Sequence, residues 1–140
     1  MTHQDDGADL SPTLYSPVRG LARWRARPPL AFGWLEPGHP YRRGQAPVAV
    51  LVALEQLALA PVDQTRGYHG CGFCRHPGLS GTPYRTLHGH DLLLGSASIA
   101  ATIEGRRWVA PNLVLHYLTS HDYLPPAEVV AGLEASPPRP

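Results

Sequence analysis

Tyr68-His69-Gly70-Cys71-Gly72-Phe73-Cys74 places two thiols three positions apart inside a segment that has little means of ordering itself. From Pro61 to Pro83 the chain carries Gly67, Gly70, Gly72, Pro77, Gly78, Gly81 and Pro83, a density that permits neither a helix nor a long strand. A tie from outside the segment is therefore expected. Close cysteines in a reducing compartment read first as a metal site or a redox pair. A thioredoxin-like pair uses a helix N-terminus to stabilise its nucleophilic thiolate, and Arg75-His76-Pro77-Gly78 would stop any helix directly after Cys74. The metal reading is preferred.

Two further ligands stand downstream. His116 and His121 are five apart near the end of an expected helix that runs from Pro111 and must stop near Asp122, because Pro125-Pro126 follow. Two thiolates from a Gly-rich turn and two imidazoles from a helix with a broken last turn are the donor set of many tetrahedral zinc sites. The expected ligands are Cys71, Cys74, His116 and His121. His69 is the first substitute, or else orients a ligand through a hydrogen bond, and His76 also flanks the pair.

Working outward, Val48, Leu51, Val52, Leu54, Leu57 and Ala58 recur at helical spacing after Pro47, which predicts a helix over 47–59. Leu30 to Leu35 reads as a short buried strand closed by the turn Glu36-Pro37-Gly38. Residues 96–102 and 106–110 are β-prone around a Glu104-Gly105 hairpin turn. With a short strand near 84–88 they suggest one small antiparallel sheet. A last short helix begins at Pro126 and buries Val129, Val130 and Leu133. The expected fold is α+β, a small antiparallel sheet packed with two or three helices, zinc tying the C-x-x-C loop to one of them.

The chain of 140 residues is about one domain long. Residues 1–28 are expected to form a flexible N-terminal arm containing an Arg-rich stretch with Trp24, 29–135 a single zinc-binding domain, and 136–140 a frayed tail. Twelve basic and eleven acidic side chains give a formal charge of +1, which supplies no net field for nucleic acid or an anionic membrane. All twelve bases are Arg, in a chain heavy in Ala, Gly and Pro. That usage follows from a GC-rich genome as readily as from phosphate binding. No apolar run approaches the roughly 18 to 20 residues that cross a bilayer, and the first ten residues carry acids where a secretion signal has bases. A cytoplasmic protein is expected.

Other clusters have plainer readings. His88-Gly89-His90-Asp91 partly matches the H-x-H-x-D-H signature of metal-dependent hydrolases, but position 92 is Leu, so a polar turn is preferred. The zinc-deaminase pattern fails because Gly70 precedes the pair and no His-x-Glu lies upstream. Tyr117, Tyr123, Trp34 and Trp108 are read as packing, with the lining of a small pocket as the alternative. Arg42, Arg43 and Arg66 are read as a solvated face or ion-pair partners.

Three motifs in order, Arg66-Gly67-Tyr68-His69-Gly70-Cys71-Gly72-Phe73-Cys74, Leu94-Gly95-Ser96-Ala97-Ser98-Ile99, and Pro111-Asn112-Leu113-Val114-Leu115-His116-Tyr117 with His121, Tyr123, Pro125 and Pro126, resemble a family of small uncharacterised actinobacterial-type proteins. The resemblance runs from about Phe32 to Leu133. It implies no established activity, and marks His69, Cys71, Cys74, His116 and His121 as the metal-site set. The family pattern has an acid where this chain has Ser98, so the resemblance implies no general acid or base there.

Two functions are compatible with these readings. In the first, four protein ligands close the shell and the protein is a zinc-stabilised binding or accessory protein with a protein partner. In the second, three ligands leave a position for water or substrate, and the protein is a small zinc hydrolase or lyase acting on a small molecule, with His69 or His121 as acid or base. No sequence feature fixes the substrate or the oligomeric state.

Overall fold

The computed structural model describes residues 3–10, 27–74 and 81–135. Among the described residues are three helices and five strands: β1 (Leu30–Ala31), α1 (Val48–Leu59), β2 (Thr82–Arg85), β3 (Asp91–Leu94), β4 (Ser98–Ile103), β5 (Arg106–Pro111), α2 (Val114–Ser120) and α3 (Ala127–Ala135). This is the expected α+β class.

The β4–β5 hairpin forms where the β-prone pattern places it, with Ser98 opposite Pro111 and Ile103 opposite Arg106. Glu104 and Gly105 both take positive φ, 50° and 76°, the mirror-image turn that matches the twist of paired strands. The single antiparallel sheet, however, is replaced by two. β1 joins β5 in parallel, giving the order β1-β5-β4, while β2 and β3 form a separate antiparallel ribbon. The first strand is shorter than Leu30 to Leu35 because Gly33, at φ 74°, turns the chain; a Cβ there would come within 2.6 Å of Val114 Cγ2. The strand expected near 84–88 lies at 82–85 and pairs with 91–94, so His88 and Gly89 form the ribbon's tip. Pro111 does not open α2. It ends β5, and Asn112-Leu113 make the turn into the helix.

Part of the N-terminal stretch is built into the fold. The Gly7 N–H donates to Ala31 O, the Ala31 N–H to Ala8 O and the Leu10 N–H to Pro29 O, so residues 7–10 cover the edge of β1 that β5 leaves open. Leu10 is buried against Ala31 and Val109. The flexible arm expected over 1–28 thus does not describe residues 3–10; most of the Arg-rich stretch, Trp24 and the tail 136–140 lie outside the described residues. The pairing partner of this stretch is distant in sequence, so no local periodicity announces it.

α1 packs on α3, β4 and α2 through Val50, Ala53, Leu54 and Ala58. On the same buried face lies Glu55, only 2% exposed. Its carboxylate accepts hydrogen bonds from the Tyr84 hydroxyl and the Leu87 N–H, which ties the β2–β3 ribbon to the helix. Burial, then the neighbouring Glu55 carboxylate, holds the Tyr84 hydroxyl well above its usual pKa. Removing one donor from a buried carboxylate costs about 1–3 kcal/mol. Tyr84→Phe is therefore expected to lower unfolding stability by that amount, measured by urea titration.

Candidate metal centre

The 62–70 segment is irregular yet firmly seated. Val62 and Ser98 exchange backbone hydrogen bonds at 2.8 and 2.9 Å, the Thr65 N–H donates to Ser96 O, and the His69 N–H to Gly95 O. Gly95 sits at φ +119°, where a Cβ would stand 2.4 Å from His69 O. Its N–H donates to Asn112 Oδ1, and the Asn112 N–H to Ala97 O, both at 2.9 Å. Buried Asn112 thus locks the 95–97 turn that carries the loop to the head of α2. Nothing in the spacing of the sequence singles out Asn112 or Gly95, whose contacts are long-range; the motifs 94–99 and 110–117 contain them without giving them a role.

The tight turn at 71–74, with the Cys74 N–H donating to Cys71 O, points both sulfurs toward α2. Phe73 anchors it, its ring 5.5 Å from Tyr41, 5.9 Å from Tyr117 and 5.4 Å from His121 between centroids. On the other side His116 projects from α2 itself. His121 caps that helix at φ −131°, ψ 17°, with its N–H still donating to Tyr117 O. Departure from helical geometry at the cap lets residues five apart converge. The cap is also held from outside, since the Tyr41 hydroxyl donates to His121 O at 2.8 Å and the Gly44 N–H to Asp122 O at 2.9 Å.

These elements bring one donor atom each from Cys71, Cys74, His116 and His121 within 4.8 Å of one another. Cys71 Sγ lies 3.3 Å from His121 Nε2, Cys74 Sγ 3.2 Å from His116 Nε2 and 3.6 Å from His121 Nε2, and the two Nε2 atoms are 3.2 Å apart. An ion held tetrahedrally at about 2.3 Å from sulfur and about 2.0–2.1 Å from nitrogen sets sulfur–nitrogen edges near 3.6 Å and a nitrogen–nitrogen edge near 3.3 Å. The four separations of 3.2–3.6 Å are close to those edges, two of the sulfur–nitrogen distances being somewhat shorter. Hydrogen bonding is a poorer account, because His121 Nε2 touches three partners and a ring nitrogen has either one proton or one lone pair to offer. A cation at the centre satisfies all four donors together, so the cluster can hold a metal ion.

His69 is not in this set. It is exposed, lies two residues before Cys71, and lines a cavity on the loop's other flank. His76 lies outside the described residues. His88 and His90 sit at and beside the β2–β3 tip, where the His90 N–H donates to Thr86 Oγ1, in keeping with a polar turn. Tyr117 and Tyr123 are core, 1% and 0% exposed, and the Tyr123 hydroxyl donates to Asp6. Arg43 is exposed and stacks over Tyr41 at 4.4 Å.

A family profile described as a domain of unknown function, DUF7919, matches residues 6–134, a span containing both ligand pairs. The chain belongs to this family. The DUF7919 match also covers residues 6–10, which agrees with their place beside β1. No curated protein and no solved structure matches the chain significantly.

Burial pushes the Cys71 thiol up to about 11, with the neighbouring Cys74 adding to the rise, and burial followed by the His121 charge holds His116 below its usual value. At pH 7 the metal-free site thus has a protonated Cys71 thiol and a neutral His116. Because a metal takes thiolate and neutral imidazole, uptake must expel thiol protons and none from His116. Release of the Cys71 proton on metal uptake is expected at pH 7, read by calorimetry in buffers of differing ionisation enthalpy. Without the ion the sign is clear for Cys71: its raised folded pKa favours the folded state below the ordinary thiol range, and that contribution disappears as pH rises toward 11.

Proposed function

We propose that this DUF7919 protein is a zinc-binding module whose ion is structural, and that it acts as a binding or accessory protein through contact with another protein. Cys71, Cys74, His116 and His121 are the four ligands in this reading. The observation that carries it is the completeness of the donor set: four side chains with one donor atom each within 4.8 Å of one another, and Cys71 2% exposed. A catalytic zinc keeps one position for water or substrate, and four protein ligands fill that position. Two thiolates with two imidazoles suit a borderline-soft ion with no geometric demand beyond the tetrahedron, which is zinc before magnesium, calcium or manganese. Free thiols this close together suit a reducing compartment, the cytoplasm. No helix among the described residues is long and apolar enough to cross a membrane.

Metal analysis of untagged protein is expected to give one zinc per chain. X-ray absorption should then show two sulfurs at about 2.3 Å and two nitrogens at about 2.0–2.1 Å. An oxygen in place of one nitrogen would overturn the structural reading in favour of an enzyme. His69→Ala is expected to leave the metal content unchanged, whereas His121→Ala removes it.

A further inference from the structure

Behind the metal loop, between the 63–69 segment and the 95–98 turn, lies a cavity of about 380 Å³, within the range of roughly 300–1,000 Å³ common for small-ligand sites. None of the four metal-site residues lines it, so a ligand bound there is independent of the identity of the ion. Its walls are fixed by the same hydrogen bonds that seat the loop: Thr65 Oγ1 donates to Ser96 O and Gly67 O, and the Thr65 and His69 amides pair with Ser96 and Gly95. A molecule entering here meets a preformed shape.

Chemistry in the lining is lopsided. Trp34 is half-buried with its indole N–H already donated to Val109 O at 3.1 Å, so it offers ring surface. Tyr68 is 37% exposed and adds a second aromatic ring. Asp63 contributes the one carboxyl group among the described lining residues, and neither Arg nor Lys is among them. That carboxylate is half-buried, and no hydrogen bond or ion pair reaches it from the described residues. Partial desolvation without compensation holds its pKa above the ordinary Asp value. Asp63 also sits at φ 55°, in the left-handed region that Asp enters more readily than most residues.

We infer that this cavity is a binding site for a small organic cation, an ammonium or guanidinium group carried on an apolar or aromatic body. The cation supplies the partner that the Asp63 carboxylate lacks, and the faces of Trp34 and Tyr68 favour a positive charge and its apolar body together. An anionic ligand would meet Asp63 unfavourably. A neutral one would leave the carboxylate as it stands.

The test uses the metal-loaded full chain and three probes of one shape: phenethylamine, 2-phenylethanol and 3-phenylpropanoate, followed by amide and indole NMR. Phenethylamine is expected to shift the Trp34 indole and the Gly67 and Gly95 amides, with 2-phenylethanol at least about tenfold weaker and 3-phenylpropanoate weaker still. Asp63→Asn, which tolerates the positive φ, should reduce phenethylamine to the level of the alcohol while zinc content stays native. Equal binding of amine and alcohol to the unaltered chain overturns the inference, as does a preference for the carboxylate or a set of shifts elsewhere. Because the amine-to-alcohol comparison needs no variant, it decides the matter even if Asp63→Asn perturbs folding.

Discussion

Cys71→Ser is expected to abolish metal binding and, with it, the cooperative thermal unfolding of the domain. Cys71 is the buried member of the donor cluster, and a serine hydroxyl at that position is a far weaker ligand for a thiophilic ion. Structural zinc sites contribute apparent binding free energies of about 10–16 kcal/mol at neutral pH, while a domain of this size has a total stability of about 5–15 kcal/mol. Losing the first term against the second leaves no margin. Circular dichroism and metal content measured on the same preparation check this, and exhaustive chelation of the native chain should reproduce the result. A Cys71→Ser chain that melts cooperatively at the native temperature without metal would sink the structural role of the ion.

The second large effect needs no ligand change. Gly95→Ala would place a methyl group 2.4 Å from His69 O, and at φ +119° the alanine backbone is itself strained. The obstacle is main chain, so no side chain can swing away; either the 67–71 segment moves outward or the turn breaks its bond to Asn112. A loss of at least about 3 kcal/mol is expected in denaturant unfolding, since steric overlap and a disfavoured φ act together. Metal affinity should fall as well, because the displaced segment carries Cys71 and leads directly into Cys74. Gly89→Ala makes a useful control: its φ is also positive but nothing lies within 4 Å of the added Cβ, so the cost should be that of the backbone alone and the metal site should be untouched.

Helices α1 and α3 and the β4–β5 hairpin were legible because their information is local. The apolar residues of α1 recur at 3.6-residue spacing, and Glu104-Gly105 has the chemistry of a two-residue turn. The grouping of Cys71, Cys74, His116 and His121 was legible for a related reason, since each pair is close in sequence and drawn from residue types that share metal-ligand chemistry. What could not be read is what acts at a distance. The parallel pairing of Leu30 with Trp108 and the seating of residues 7–10 beside β1 depend on partners far along the chain or without a repeating pattern. The β2–β3 ribbon was obscured by Pro83 and by the run Leu92-Leu93-Leu94, which does not alternate. The tie expected from outside the 61–83 segment also includes backbone pairing with residues 95–98, which no residue type in the segment announces.

The two sulfurs and the two ring nitrogens come from opposite ends of a stretch that contains β2, β3, β4 and β5 in full. An ion held there would therefore work as a reversible staple across a ring of about 45 residues. By the chain-entropy relation for such cross-links, closing a ring of that size removes about 4 kcal/mol of freedom from the unfolded chain. Unlike a covalent bridge, such a staple would form without an oxidant and could be withdrawn by whatever competes for the cation, which would couple the persistence of the native state to the supply of free metal around it.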